Sequence, residues 1–75
     1  MRRIGSVVRT AQGVAVVRTE DEAYPDIGTP VVDEALDNVG TVVDVFGPVD
    51  RPFVAVSPDD VTLATLVGKP LYARS

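Results

Sequence analysis

Carboxylates, arginines and one lysine supply most of the chemically reactive side chains in this sequence. It contains no cysteine and no histidine, so it lacks thiolates and the imidazole that most often serves as a general base or metal ligand. The acidic runs at 20–22 and 59–60 lack the fixed oxygen spacing of a calcium loop. Gly47-Pro48 leads into no lysine and hydroxyl residue at the spacing of a phosphate loop. The sequence therefore predicts a protein that is not an enzyme and that uses neither a metal nor a cofactor.

The positive charges lie at the start of the chain, and the negative charges follow them. Residues 1–18 contain no acid, whereas residues 19–60 hold all 11 acidic residues. The net charge of −4 argues against a chain that holds RNA by itself, because counterion release requires several clustered cations. Ion pairs with acids on neighbouring strands are one role for the early arginines, and a local RNA contact is the alternative. The candidates for that contact are Arg2, Arg3, Arg9 and Arg18.

Short β-branched segments separated by turn residues organise the chain. Strands are predicted at 4–10, 14–18, 31–32, 40–46, 52–56 and 71–73. We expect Gly13 in a three-residue hairpin loop, an irregular acidic loop over 19–30, and a turn or one or two helical turns starting at Ser57. These elements predict an all-β fold, a small closed antiparallel β-barrel of about six strands, since closure removes exposed edges. Residues 1–75 are expected to form one domain.

Neither a membrane-spanning segment nor a signal peptide is predicted. No apolar run approaches the roughly 20 residues that cross a bilayer, and the first residues do not have the pattern of a secretory signal. The sequence therefore predicts a soluble, cytoplasmic protein with no membrane partner.

Three segments would form strands that are apolar on both faces. They are 14–17, 40–46 and 53–56. In the second of them, strict alternation places Val43 and Val45 on one face and Val42 and Phe46 on the other. A phenylalanine or a pair of valines left in water forfeits about 1.5–3 kcal/mol. Because one small core cannot hold all of these side chains, the pattern favours a partner that covers part of the surface. The alternative is that the barrel corners and residues 57–67 cover the second face.

A stiff turn follows the longest of these segments. Gly47 and Pro48 end the predicted strand, and Pro52 begins the next one. The prolines fix φ and remove backbone donors, so the turn loses little conformational entropy when it binds a partner. The apolar side chains that this rigid platform would present are Phe46, Val49 and Phe53.

The run VVDVFGPV at 42–49, followed by PFVAV at 52–56, resembles the core motif of the Gar family. This family is the small β-barrel subunit of box H/ACA guide-RNA ribonucleoproteins. Residues 3–7 and 67–72 also resemble the ends of family members, so the resemblance covers nearly the whole chain. Phe53 stands where a tyrosine is frequent. The chain has no glycine/arginine-rich tails, so it resembles archaeal members, and RNA binding through such tails does not carry over.

The resemblance implies a barrel of the elongation-factor/reductase type and a non-catalytic role in rRNA pseudouridylation and ribosome biogenesis. The family barrel docks on the catalytic pseudouridine synthase subunit and contacts guide and substrate RNA mainly indirectly. It aids substrate loading and release by receiving a mobile loop of the synthase. We therefore predict the docking residues to be Val43, Val45, Phe46, Gly47, Pro48, Val49, Pro52 and Phe53.

Two other interpretations remain at this stage. Residues 28–33 and 40–45 also resemble the opening hairpin of PRC-barrel adaptors in ribosome maturation, although the turn at Gly47-Pro48 is less expected there. A stand-alone RNA binder that uses the early arginines is the other. Pull-down from cell extract separates the three interpretations. A pseudouridine synthase recovered after nuclease treatment supports the first, a ribosomal protein supports the second, and recovery of RNA alone supports the third.

Overall fold

Valine-rich segments form the strands of the barrel, in the order that the sequence predicts. A computed structural model describes residues 2–20 and 24–74. Part of the predicted acidic loop, residues 21–23, lies outside the described residues. The strands are β1 (Arg2–Ala11), β2 (Val14–Thr19), β3 (Pro30–Val32), β4 (Asn38–Phe46), β5 (Phe53–Pro58) and β6 (Pro70–Ala73).

The strands pair antiparallel in the order β1-β2-β5-β4-β3-β6, and β6 returns to β1. The predicted all-β fold and closed antiparallel barrel of six strands are therefore confirmed. Closure pairs the backbone N–H and C=O groups of the edge strands, which an open sheet would leave available to other chains. Within residues 2–20 and 24–74, no helix has the length and apolar composition needed to cross a membrane.

The first hairpin turn is tighter than predicted. Ala11 pairs with Val14, so the loop holds two residues rather than the three that the sequence analysis expected. Gln12 and Gly13 have φ values of 51° and 82°. Positive φ at both central residues is what a type I′ turn requires, and this turn matches the twist of the two strands that it joins.

Bulges in β1 and β4 change which side chains face the interior. The pairing register shifts between Val42 and Asp44 in β4, and a matching shift occurs in β1. An extra residue at a bulge reverses the alternation beyond it, so Val42 and Val45 both face the core whereas Val43 lies outside. The strict alternation expected for 40–46 is therefore wrong. The core cluster comprises Ile4, Val7, Ala15, Val17, Val31, Val39, Val42, Val54, Val56, Leu66, Leu71 and Ala73.

The outer face of β2 and β5 is largely covered by the chain itself. Val16 and Ala55 pair across this face and are only 2% and 5% exposed. The guanidinium carbon of Arg9 lies 5.8 Å from the centre of the Phe53 ring. Because β2 separates β1 from β5, the Arg9 side chain crosses over β2 beside its pairing partner Val16. The expectation that segments 14–17 and 53–56 leave a second apolar face in water is therefore wrong.

The segment after β5 contributes a side chain to the core, but no helical turn starts at Ser57 as the sequence predicts. Ser57 and Pro58 remain in β5 and pair with β4. The single 3-10 turn, Leu63–Thr65, begins after Thr62 instead. Leu66 then enters the core cluster, and an apolar side chain there is worth about 1.5–3 kcal/mol.

Candidate protein-docking surface

Two phenylalanine rings form the base of the candidate surface. Phe46 ends β4 and Phe53 begins β5, and the two residues are directly paired. Their ring centres are 5.6 Å apart with 27° between the planes, a stacked arrangement within the preferred separation. Gly47 has φ 92°, and a Cβ there would lie 2.9 Å from Cδ2 of Phe53. The glycine therefore provides both the backbone conformation of the turn and the room for the ring.

Thr19 fixes the far end of the turn. Its buried hydroxyl Oγ1 donates a hydrogen bond to the Pro52 carbonyl at 2.6 Å, and its backbone N–H donates to the same oxygen at 3.3 Å. Pro52 itself is buried. The 47–52 turn is thus held on β2 at one end and on the stacked rings at the other, so it presents its apolar side chains from a rigid base.

The Thr19→Val variant is expected to lose about 1 kcal/mol of unfolding free energy, because a buried carbonyl loses its hydroxyl donor while the shape is nearly kept. Urea unfolding followed by circular dichroism measures this loss. Thr65→Val is the control, since the Thr65 hydroxyl donates to the Thr62 carbonyl at an exposed position and its loss costs less. Equal losses in the two variants would contradict a special role for the Thr19 bond.

The Phe46 ring and the turn form one wall of a shallow apolar groove of about 390 Å³. Val49 projects furthest and is 91% exposed, while Tyr24 and Phe46 are 47% and 38% exposed. The described residues that line it carry no charge. A groove of this kind fits an apolar side chain of a partner, and the Tyr24 hydroxyl is the one titratable group among its described lining residues. Its lining residues are Tyr24, Val45, Phe46, Gly47, Pro48, Val49 and Pro52.

Six of the eight residues predicted to dock line the apolar groove, at different depths. Val45 faces inward and packs against the core cluster, and Pro52 is buried. Val43 lies outside the groove on the bulge of β4 and is 44% exposed, and Phe53 is half-buried behind Phe46. The structure therefore brings these residues to one end of the β4–β5 pair, and their contact with a partner stays a prediction.

Tyr24 is a groove residue that sequence reasoning did not assign to this surface. It is distant in sequence from the 47–52 turn, and barrel closure brings the two together. Its neighbour Pro25 is buried, which anchors the backbone beside the exposed ring. A tyrosine directly before a proline in an otherwise acidic loop was the available signal.

The four early arginines are not equally available for an RNA contact. Nε of Arg3 is 2.7 Å from Oε1 of Glu20, and Arg9 lies against the Phe53 ring. Arg18 is exposed on the outer face of β2, and Arg2 is exposed at the start of β1. Two of the four therefore have partners within the chain, and RNA contact by any of them stays a prediction.

Comparison with known proteins identifies the family. The model of the Gar1/Naf1 RNA binding region matches residues 1–75, which is the full length of the sequence. A search of curated proteins finds no match. The chain therefore belongs to the Gar1/Naf1 RNA-binding family, and this membership indicates involvement in RNA processing of the H/ACA ribonucleoprotein type.

Proposed function

We propose that this protein is a non-catalytic accessory subunit of a guide-RNA pseudouridine synthase complex, and that it docks on the catalytic subunit through the apolar groove. The observation that carries the proposal is an uncharged groove on a rigid turn, with Val49 91% exposed at its rim. An apolar side chain left almost wholly in water beside a groove of apolar residues supports a protein partner.

The energetics of the groove fit a docking site. Covering Val49 and the exposed part of Phe46 contributes about 1.5–3 kcal/mol for each side chain. The turn is already fixed by Thr19 and by the stacked rings, so little of this gain is lost to ordering the loop. A few such side chains at the centre of an interface are enough to dominate its affinity.

The proposed effect on RNA processing is a shift between positions of a synthase loop. An accessory subunit that binds one loop position better than the other biases the equilibrium toward that position. A difference of about 1.4 kcal/mol changes the ratio of the two positions tenfold. The barrel needs no reactive side chain for this role.

The experiment that tests docking compares Val49→Asp with Leu36→Asp. Both side chains are strongly exposed, at 91% and 61%, so both variants are expected to fold. Only the first removes an apolar side chain from the groove and places a charge there. Calorimetric titration against the purified synthase subunit is expected to show at least about a tenfold loss of affinity for Val49→Asp.

The control, Leu36→Asp, is expected to bind within about twofold of the unchanged protein. Multiple-turnover pseudouridylation with guide RNA provides a second readout, in which only the groove variant loses the stimulation. Unchanged affinity in Val49→Asp would remove the groove from the interface. No binding by the unchanged protein would overturn the proposed function itself.

A further inference from the structure

A second groove, of about 770 Å³, shares the Tyr24 wall with the apolar groove. It lies where the start of β1 meets the end of β6, and the segment 24–30 forms its other side. Arg2 and Arg74 line it, and we call it the basic groove. Both grooves present exposed apolar surface, but only the basic groove also presents two guanidinium side chains.

Backbone hydrogen bonds fix the walls of the basic groove. The Arg74 N–H donates to the Pro30 carbonyl at 2.9 Å, and Arg2 pairs with Ala73 across the two strands. The opposite wall is tied to β4, because the Gly28 N–H donates to the Val42 carbonyl at 2.8 Å. The groove is therefore formed before any ligand binds.

The net charge of this groove is opposite in sign to that of the whole chain. Neither Arg2 nor Arg74 forms an ion pair with any residue that the structure describes, and Asp26 is the one acid among the described lining residues. Residues 19–60 hold all 11 acids of the chain. The groove thus offers two available cations in an otherwise acidic molecule, and charge complementarity points to an anionic ligand.

The apolar part of the lining indicates which kind of anion fits. Ile27 is 66% exposed beside the arginines, so one side of the ligand must be aliphatic. An RNA strand carries a charge at every phosphate, and Asp26 together with the acidic surroundings repels such a polyanion. A peptide can place one carboxylate on the arginines and an apolar side chain on Ile27, and arginine binds carboxylates through two parallel hydrogen bonds.

We propose that the basic groove binds an extended segment of the same protein partner that docks on the apolar groove, a segment with one carboxylate close to an aliphatic side chain. A segment that passes over Tyr24 reaches both grooves, because that ring lines each of them. The inference rests on the proposed function for the identity of the partner. What it adds is a second, electrostatic contact at the basic groove. This contact sets the direction in which the partner's segment lies across the barrel.

The test compares Arg74→Glu with Lys69→Glu in titrations against the synthase subunit, with no RNA present. Both residues are exposed and both substitutions change the charge equally, but only Arg74 lines the basic groove. At roughly 50 mM salt we expect Arg74→Glu to weaken binding about five- to tenfold and Lys69→Glu to weaken it less than about twofold. The difference should shrink in roughly 0.5 M salt, where exposed charges are screened.

Three results overturn the inference while the proposed function stands. The first is unchanged binding by Arg74→Glu. The second is an equal loss of affinity in both variants, which would indicate an effect of net charge alone. The third is a loss of affinity that appears only when guide RNA is added, which would make RNA the occupant of the groove. If the unchanged protein binds no synthase, the proposed function fails. The groove is then tested by NMR titration with a short peptide of glutamate and isoleucine, where shifts at the Gly28 and Arg74 amides support it and their absence overturns it.

Discussion

Val45→Asp is expected to unfold the barrel, whereas Val43→Asp, two residues earlier in the same strand, leaves it folded. Val45 packs against the core cluster, and a carboxylate there costs about 3 kcal/mol or more. A chain of this size has only about 4–11 kcal/mol of stability at the usual value per residue. Val43 is 44% exposed on the bulge of β4, so its substitution costs at most about 1 kcal/mol.

Circular dichroism without denaturant shows whether each variant folds, and urea unfolding measures the loss of stability in any variant that does. The comparison also tests the β4 bulge, because strict alternation would place the two valines on the same face. Equal losses in the two variants would show that the strand alternates without a bulge. A loss of partner binding in Val45→Asp carries no information about the docking surface, since the unfolded chain has no groove.

Gly40→Ala is expected to cost about 3 kcal/mol, because it forces β4 away from β5. A Cβ built at Gly40 overlaps the backbone carbonyl of Ser57 and lies 3.0 Å from the Cα of Pro58. Both obstacles are backbone atoms of a paired strand, so no side-chain rotation relieves the overlap and the strands themselves must move. Thermal unfolding followed by circular dichroism measures the loss.

Gly68→Ala is the matched control for this variant. Gly68 has φ 87°, but a Cβ there would meet no atom within 4 Å. Its substitution therefore costs only the strain of the left-handed backbone, about 1 kcal/mol. A cost at Gly40 no larger than the cost at Gly68 would show that β4 and β5 do not approach each other this closely.

Local patterns were sufficient to predict the barrel but not the direction of every side chain. The β-branched runs and the turn residues between them predict six strands in order, because each signal lies within a few residues. The bulge at Val43 depends on how β4 pairs with β5, and nothing in the residues 40–46 themselves marks it. The position of Arg9 over Phe53 likewise depends on which strand lies between β1 and β5.

The candidate site shows the same division between local and distant information. The platform of Phe46, Gly47 and Val49 follows from adjacent residues and was predicted together. Tyr24 and the Thr19 hydroxyl reach it from another part of the chain. The basic groove joins Arg2 to Arg74, the two ends of the described chain, so no local pattern could predict it.

The placement of β6 between β1 and β3 has a consequence for synthesis of the protein. β1 needs two neighbours, and one of them, β6, is translated only after β2 to β5. A nascent chain that still lacks residues 70–73 exposes the valine-rich inner face of β1 and an unpaired edge. The barrel therefore cannot close until β6 has left the ribosome, and until then the emerging chain is a substrate for chaperones.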